Sequence, residues 1–466
     1  MTNMKQLIYI IAGATLLSGC KLYSSYERPD DLPVDSLYRT DNVVAPTPTT
    51  TNRADTTSLG DLPWREVFTD PLLQSLIEEG LANNTDMQVA LLRLDQAQAQ
   101  LKGAKLAFLP SLTFSPNGSL TSTDGGKAVK TYELPLEASW TVDLFGNLRN
   151  AKKGAQATLL MQEAYRQAVC AQVIATIAND YFSLLMLDSQ IEISQSTLDL
   201  WQEQVRTIAA KLKVGSETEN ALTQARASLY QLEATHNDLL RQQREAENAL
   251  CTVLGVTYRS IQRSSLDKQT LPETLTTGVP LRLLSRRPDV VQAEMTLANA
   301  YYTTNQARAA FYPSLTLSGS AGWTNSLGGV VSNPGGWLLE ALASLSQPIF
   351  NRGQLKMNLR VSKDDEEIAK LEYKQAILDA GEEVNNALYA VQSAQRSLES
   401  HQKQCGELER TVSTSQTLYK TGNATYLELL SARESLLNAQ LSVVSDKLTA
   451  LQAVITLYQA LGGGRA

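Results

Sequence analysis

Residues 132–144 read YELPLEASWTVDL, thirteen positions of unbroken alternation. Tyr132, Leu134, Leu136, Ala138, Trp140, Val142 and Leu144 share one face; Glu133, Pro135, Glu137, Ser139, Thr141 and Asp143 share the other. Successive side chains of a strand point to opposite sides, so this is a two-faced strand. Its length exceeds the roughly 9 to 11 residues a tilted strand needs to cross a bilayer, and an apolar exterior opposite a polar lumen is the pattern of an outer-membrane barrel. A sandwich strand is usually shorter. A corresponding stretch runs from Trp337 through Leu339, Ala341, Ala343 and Leu345 to Phe350. Leu112–Thr123 and Leu315–Trp323 read as the incoming partners, joined to the outgoing strands by Gly-rich loops at 124–126 and 328–336. The strand regions fall near 110–123, 131–146, 312–324 and 336–350. Four strands leave open edges, whereas backbone polar groups inside a bilayer must all be paired and single-chain barrels begin at about eight strands. The chain is therefore expected to oligomerise, and three copies, giving twelve strands, leave room for an open lumen.

The strands belong to a duplicated layout. AFLPSLTFS at 107–115 recurs as AFYPSLTLS at 310–318, identical at seven of nine positions at an offset of 203. Gln224-Ala225-Arg226-Ala227-Ser228-Leu229 recurs as Ser431-Ala432-Arg433-Glu434-Ser435-Leu436 at an offset of 207, and Val214-Gly215 as Thr421-Gly422. This period far exceeds that of solenoid repeats, so each half reads as one duplicated layer. No proline lies between Pro135 and Pro272 or after Pro348, and no glycine between Gly154 and Gly215. Residues 147–214 thus permit 68 residues of helix, roughly 100 Å at 1.5 Å per residue, followed by a shorter partner over 217–254. The second half repeats this over 352–421 and 424–461. Leu437, Leu441, Val444, Leu448, Leu451, Ile455 and Tyr458 alternate spacings of four and three, a coiled-coil seam. The matching ladder from Leu222 to Val253 includes His236, which reads as a polar residue setting register.

The remainder of the composition excludes several chemistries. The chain has 466 residues, 43% hydrophobic and 19% charged, with a net charge of −7 and mean hydropathy of −0.19. An acidic pI near 5.2 argues against a basic nucleic-acid surface. Two histidines and four cysteines, none in a C-x-x-C pair or at ligand spacing, offer no zinc, haem or iron–sulfur framework. Cys170, Cys251 and Cys405 read as small hydrophobes on helices. No catalytic, cofactor-binding or metal-ligating residue is assigned, and no cofactor is expected. The N-terminus has Lys5, an apolar run from Leu7 to Leu17, then Leu17-Ser18-Gly19-Cys20, a secretory signal too short to span a bilayer. Residues 1–19 are expected to be removed. Residues 20–62, rich in Ser, Thr, Asp and Pro, suit an extended tether able to drape along another surface.

Taken together, these residues resemble the TolC-type outer membrane factors, specifically the NodT/OprM-like lipoprotein branch serving resistance-nodulation-division (RND) tripartite efflux pumps. The likeness covers nearly the whole mature chain. It rests on Trp64, Phe68, Asp70-Pro71-Leu72-Leu73, Asn84, Asp86 and Arg93, and on the two F-x-P-S-L-T segments. Asp143-Leu144-Phe145-Gly146 and, most specific, Leu284-Ser285-Arg286-Arg287-Pro288-Asp289 complete it. Physically the last run reads as structural, with Pro288 in a first helical turn and Ser285 and Asp289 at a helix N-terminus. The resemblance implies a lipobox at Cys20, and Lys21, where an inner-membrane retention signal usually carries Asp, implies an outer-membrane lipoprotein with a long periplasmic extension. It further implies a mainly α fold with a membrane β-barrel. A homotrimer would close a twelve-stranded barrel continuous with a twelve-helix tunnel, the first repeat spanning 63–271 and the second 272–466. In the family the helix tips meet a periplasmic adaptor, which places docking on Val214, Gly215, Ser216, Thr421, Gly422 and Asn423. The periplasmic aperture carries over to Leu427, Glu428 and Ser431; Ser431 stands where relatives commonly have Asp. The implied function is a passive exit duct for a multidrug pump, with an adaptor, an inner-membrane RND transporter and outer-membrane lipid as partners. Rivals are the same duct in heavy-metal export or type I secretion, a lipid-anchored coiled-coil periplasmic adaptor and, least supported, an enzyme.

Overall fold

The computed structural model describes residues 23–30, 32, 37, 59–122, 127–270, 287–327 and 330–464. Helices α1 (Pro71–Asn83), α2 (Thr85–Leu106), α3 (Asn147–Lys213), α4 (Glu219–Leu254), α5 (Pro288–Ala309), α6 (Gln354–Lys420) and α7 (Tyr426–Ala460) accompany five strand segments. These are β1 (Ser111–Phe114), β2 (Asn117–Thr121), β3 (Val129–Val142), β4 (Ser314–Leu327) and β5 (Val330–Ser346). Helices α3 and α6 are each 67 residues long, and α2 and α5 each 22. The chain forms two compact units. The first comprises the described parts of 1–32, 93–163 and 292–375, and the second those of 33–92, 164–291 and 376–466. Cys20 and the segment Leu284–Arg286 lie outside the described residues.

The first unit holds the sheet, ordered β1-β3-β4-β5 with β2 also on β3, all neighbours antiparallel. The strand expected over 110–123 is two segments on one register, because Pro116 between them has no N–H to donate. The strand expected over 131–146 ends at Val142, since Asp143 turns back to accept from the N–H groups of Leu148 and Arg149 (3.0 and 2.9 Å) and caps the helix that follows. The strand expected over 336–350 runs Val330–Ser346 instead, stopping ahead of Pro348 as Gln347 donates its side-chain amide to the Phe311 carbonyl (2.8 Å). Register carries the faces across the sheet: Phe114, Leu136, Ala321 and Leu339 align on one side, and Thr113, Glu137, Ser320 and Glu340 on the other. Leu134 faces Trp323, which faces Trp337, and the two indoles meet edge to face at 5.6 Å. Leu339 is 84% exposed and Trp337 78%, an uncovered apolar face that water would not favour. Where the β4–β5 register slips at Thr324/Ser326, buried Asn325 accepts from Tyr132 N–H (2.8 Å) and donates to Lys130 C=O (3.0 Å), keeping the β3 edge paired.

In this unit residues 23–30 are docked and not a free leash. Arg28 donates twice to Glu294 of α5 (2.8 and 2.5 Å), Ser24 bonds the Tyr301 hydroxyl (2.7 Å), and Tyr26 packs edge-on to Tyr301. Glu294 is buried, so the pair is partly desolvated and its geometry bidentate, the stronger form of a charge-assisted contact.

The second unit is held by two apolar clusters, the larger around α1 and the middle of α3 and the smaller around Trp201, Ile208, Leu222, Leu229 and Tyr426. Helix α3 is long and apolar enough to cross a membrane, but its apolar run from Val173 to Leu185 is consumed instead by packing of Ile174, Ile177, Tyr181, Phe182 and Leu184 with Leu73, Ile77, Leu254 and Tyr458. Burying such side chains contributes about 1.5–3 kcal/mol each. The α4 seam is buried at Leu222, Ala225, Leu229, Leu232, Leu239 and Leu250, and His236 bonds Ser194 Oγ through Nδ1 (2.8 Å), a structural partner. Pro288 opens α5, and the Arg287 guanidinium before it donates to Asp289 (3.0 and 2.6 Å), Glu383 (2.5 Å) and the Ala460 carbonyl at the end of α7 (2.9 Å). That portion of the Arg-Arg-Pro-Asp run is a structural tie.

Helix α4 ends at Gly255 with φ +69°, its N–H on Thr252 C=O and Val256 N–H on Cys251 C=O (both 3.1 Å). A Cβ there would also lie 2.6 Å from the Asn83 carbonyl oxygen. Gly255→Ala is therefore expected to destabilise by more than the ~1–2 kcal/mol of a left-handed non-glycine residue alone. A thermal midpoint unchanged from that of the unmodified protein would refute this.

Candidate functional site: the helix tips and the aperture face

The second unit contains both helix turns. Val214, Gly215 and Ser216 close α3: Gly215 (φ +73°) donates to Leu212 C=O (3.0 Å) and Ser216 to Lys211 C=O (2.9 Å). Thr421, Gly422 and Asn423 close α6 with the same pair of bonds, Gly422 (φ +78°) to Tyr419 C=O (3.3 Å) and Asn423 to Leu418 C=O (2.9 Å). Both are Schellman turns in which only the αL position demands glycine. A Cβ at either glycine would meet nothing within 4 Å, so conformation and not crowding selects the residue. All six tip residues are exposed, Val214 by 78%, an apolar side chain offered to solvent. Thr218 caps α4 through Ala221 N–H (3.2 Å) and Thr425 caps α7.

The structure brings the two tips together through residues that sequence reasoning missed. Tyr419, one turn before the second tip, donates its hydroxyl to Glu217 just beyond the first. Lys211 Nζ donates to the same hydroxyl (3.2 Å) and sits 4.3 Å over the Tyr419 ring, and Tyr426 packs edge-on at 6.1 Å. Burial first, then the Glu217 carboxylate, pushes the Tyr419 phenol above its ordinary range; burial pushes that of Tyr426 up to about 12. Farther along, Ser228 donates to Glu434 (2.8 Å) and Arg433 to the Gln204 side chain (3.3 Å), and burial lowers the Arg433 guanidinium. No sequence pattern marks these partners, because they lie about 200 residues apart in the chain.

Leu427, Glu428 and Ser431 are exposed on one face of the first turns of α7, while Tyr426, Leu429 and Leu430 are buried. Glu428 also has a local duty: its carboxylate accepts from Thr425 N–H (2.8 Å) while Thr425 Oγ1 accepts from Glu428 N–H (3.4 Å), a complete capping box. Among the described residues no group of three or more His, Cys, Asp and Glu side chains could hold a metal ion.

The family model of the outer membrane efflux protein matches residues 76–256 and 279–463. The cation efflux system protein CusC of Escherichia coli strain CFT073 is 30% identical over 100% of this chain and 99% of its own. The probable outer membrane lipoprotein SilC of Salmonella typhimurium is 30% identical over 96% of each chain. The toluene efflux pump outer membrane protein TtgC of Pseudomonas putida is 29% identical over 99% of this chain and 96% of its own. The open-state crystal structure of the Neisseria gonorrhoeae MtrE outer membrane channel superposes with a TM-score of 0.84 at 28% identity, over 96% of this chain and 98% of that one.

Proposed function

The chain belongs to the outer membrane efflux protein family, and from that premise we propose that it is the passive exit duct of a tripartite multidrug efflux pump. The observation that carries the reading is the sheet of the first unit: three strands of 14 to 17 residues flanked by β1 and β2, one apolar and one polar face, and edges at β1/β2 and β5 that are unpaired among the described residues. In a bilayer those edges require partners, which two further copies supply in a twelve-stranded homotrimeric barrel. The paired helices would continue as the periplasmic tunnel, a periplasmic adaptor would dock at residues 214–216 and 421–423, and an RND transporter would provide the energy. Acylation at Cys20 would anchor the mature chain, in keeping with its lipobox and with the description of SilC as a lipoprotein. The cation efflux system protein CusC supports a second reading, cation export through the same duct, with heavy-metal export as the form to be tested. Growth of a deletion strain complemented by this chain, challenged with organic toxicants and separately with heavy-metal salts, decides between them.

The first test is planar-bilayer conductance with oligomeric mass in the same detergent. A trimer with stepwise, cation-favouring conductance is expected; a monomer without conductance overturns the duct. The aperture reading assigns Glu428 to an acidic ring that repels its own copies and attracts cations, with Leu427 beside it and Ser431 contributing no charge. Glu428→Gln separates this role from capping, because a glutamine oxygen still accepts from Thr425 N–H. It is expected to reduce cation preference with little change in the thermal midpoint, whereas Glu428→Ala also loses the reciprocal hydrogen bond of the capping box, about 0.5–1.5 kcal/mol per chain. Unaltered selectivity in Glu428→Gln would remove the ring.

A further inference from the structure

We infer that the base of the membrane sheet carries a binding site for the phosphate of an anionic phospholipid headgroup, built from Arg308, Tyr23, Phe311 and Tyr312. These residues and Leu359 line a cavity of about 410 Å³ in the first unit. Its position follows from the chain: Phe311 and Tyr312 lie between the end of α5 at Ala309 and the start of β4 at Ser314. Tyr312 stacks on Phe145, which follows β3, with centroids 4.9 Å apart and planes at 15°. Aromatic side chains at the ends of membrane strands mark the headgroup level.

Two residues that line this cavity carry donors. Arg308 Nη1 donates to Asn305 Oδ1 (2.9 Å), and among the described residues its guanidinium meets no carboxylate. The Tyr23 hydroxyl is buried without a hydrogen-bond partner among the described residues. Burial and the neighbouring Tyr312 raise the Tyr23 phenol, against the positive charge of Arg308. Buried polar groups are normally satisfied, and a cation beside an orphan O–H calls for an anion with several acceptor oxygens. The rings and Leu359 provide the apolar wall that glycerol and acyl carbons need, which a free phosphate does not. Tyr23 follows Cys20 by three residues, at most about 11 Å of extended chain. If Cys20 is acylated the cavity opens at the lipid surface, and in this the site rests on the lipid-anchor reading.

Native mass spectrometry of the purified full-length mature protein in detergent, titrated with phosphatidylglycerol or phosphatidylcholine, tests the site. One phosphatidylglycerol per chain is expected in preference to phosphatidylcholine. Arg308→Gln should weaken retention at least fivefold, Arg308→Lys less, and Tyr23→Phe, which removes only the hydroxyl, by about twofold; exposed Arg360→Gln should leave it unchanged. The same spectra report assembly, and should Arg308→Gln fail to assemble, Arg308→Lys and Tyr23→Phe decide. Equal retention by the wild-type protein and these variants, equal binding of the two lipids, or full displacement by millimolar inorganic phosphate would each overturn the proposal. The mass of the chain reads the anchor separately. A chain without acyl groups that still holds phosphatidylglycerol through Arg308 defeats the anchor and keeps the site, and an acylated chain without Arg308-dependent binding does the reverse.

Discussion

Arg263→Ala is expected to lower the stability of the second unit by about 3 kcal/mol, the lower end of the cost of breaking a buried ion pair, because Glu247 would keep only the more distant Arg244 (3.4 Å) as a cationic partner. Arg263 donates to Asp188 through Nε and Nη2 (2.5 and 2.9 Å) and to Glu247 and the Ile261 carbonyl through Nη1 (2.7 and 2.8 Å). The Glu247 side chain is 8% exposed and that of Asp188 32%, so alanine would leave a nearly dry carboxylate with only Arg244 (3.4 Å) as its cation, and a better hydrated one held by the Gln243 amide (2.6 Å). Partial solvation of Asp188 is why the lower figure applies. Burial alone would raise the Glu247 carboxyl, but the hydrogen bond and charge of Arg263, with help from Ile261 N–H and Ser260, hold it below its ordinary range. A carboxyl lowered in the folded state contributes stability that is present above its unfolded value, about 4.3, and disappears as pH falls through the folded value. The gap between wild-type and variant should therefore be full at pH 7 and shrink below about pH 4. Helical unfolding followed by circular dichroism against denaturant at both pH values checks this, and a gap that ignores pH would show that lost packing, not charge, carries the effect.

Much of this architecture is legible in the sequence because it is periodic. The alternation of 132–144 needs no tertiary information to declare two faces, and the absence of proline and glycine over 155–214 leaves little but helix. Element ends were less legible for local reasons. Asp143 could continue a strand or cap a helix, and the chain makes it the cap; Thr218 and Thr425, as caps, delay α4 and α7 by two residues beyond the expected 217 and 424. The site divides in the same way. Glycines at the turns could be read from the breaks they make, whereas Tyr419, Glu217 and Lys211 depend on which helices lie side by side. Arg28 with Glu294, 266 positions apart, has no sequence signal beyond an arginine in a polar tether.

Gly422→Pro is expected to reduce toxicant export to the level of a strain lacking the protein, while trimer mass and barrel conductance persist. Proline fixes φ near −65°, and Gly422 sits at +78°; it would also remove the N–H that reaches Tyr419 C=O and misalign Asn423 N–H from Leu418 C=O. The Schellman turn cannot form, so α6 must fray or redirect its exit. Because a side chain at this position touches nothing within 4 Å, the damage begins at the exposed surface and not in the core. Gly422→Ala isolates the two effects: it strains φ by about 1–2 kcal/mol but keeps the N–H, and should export nearly as well as wild type. Gly215→Pro applies the same change to the first tip, and unequal losses would rank the two as docking surfaces. Conductance supplies the remaining discrimination. Tyr419 lies three residues before Gly422 and joins Glu217 and Lys211 across the tips, so a turn that pulls Tyr419 away should also raise the open probability of the isolated channel. Lost export with unchanged conductance would assign the tip to adaptor docking alone, lost export with raised conductance would tie docking to the Tyr419 contact, and full export by Gly422→Pro would exclude the second tip from coupling.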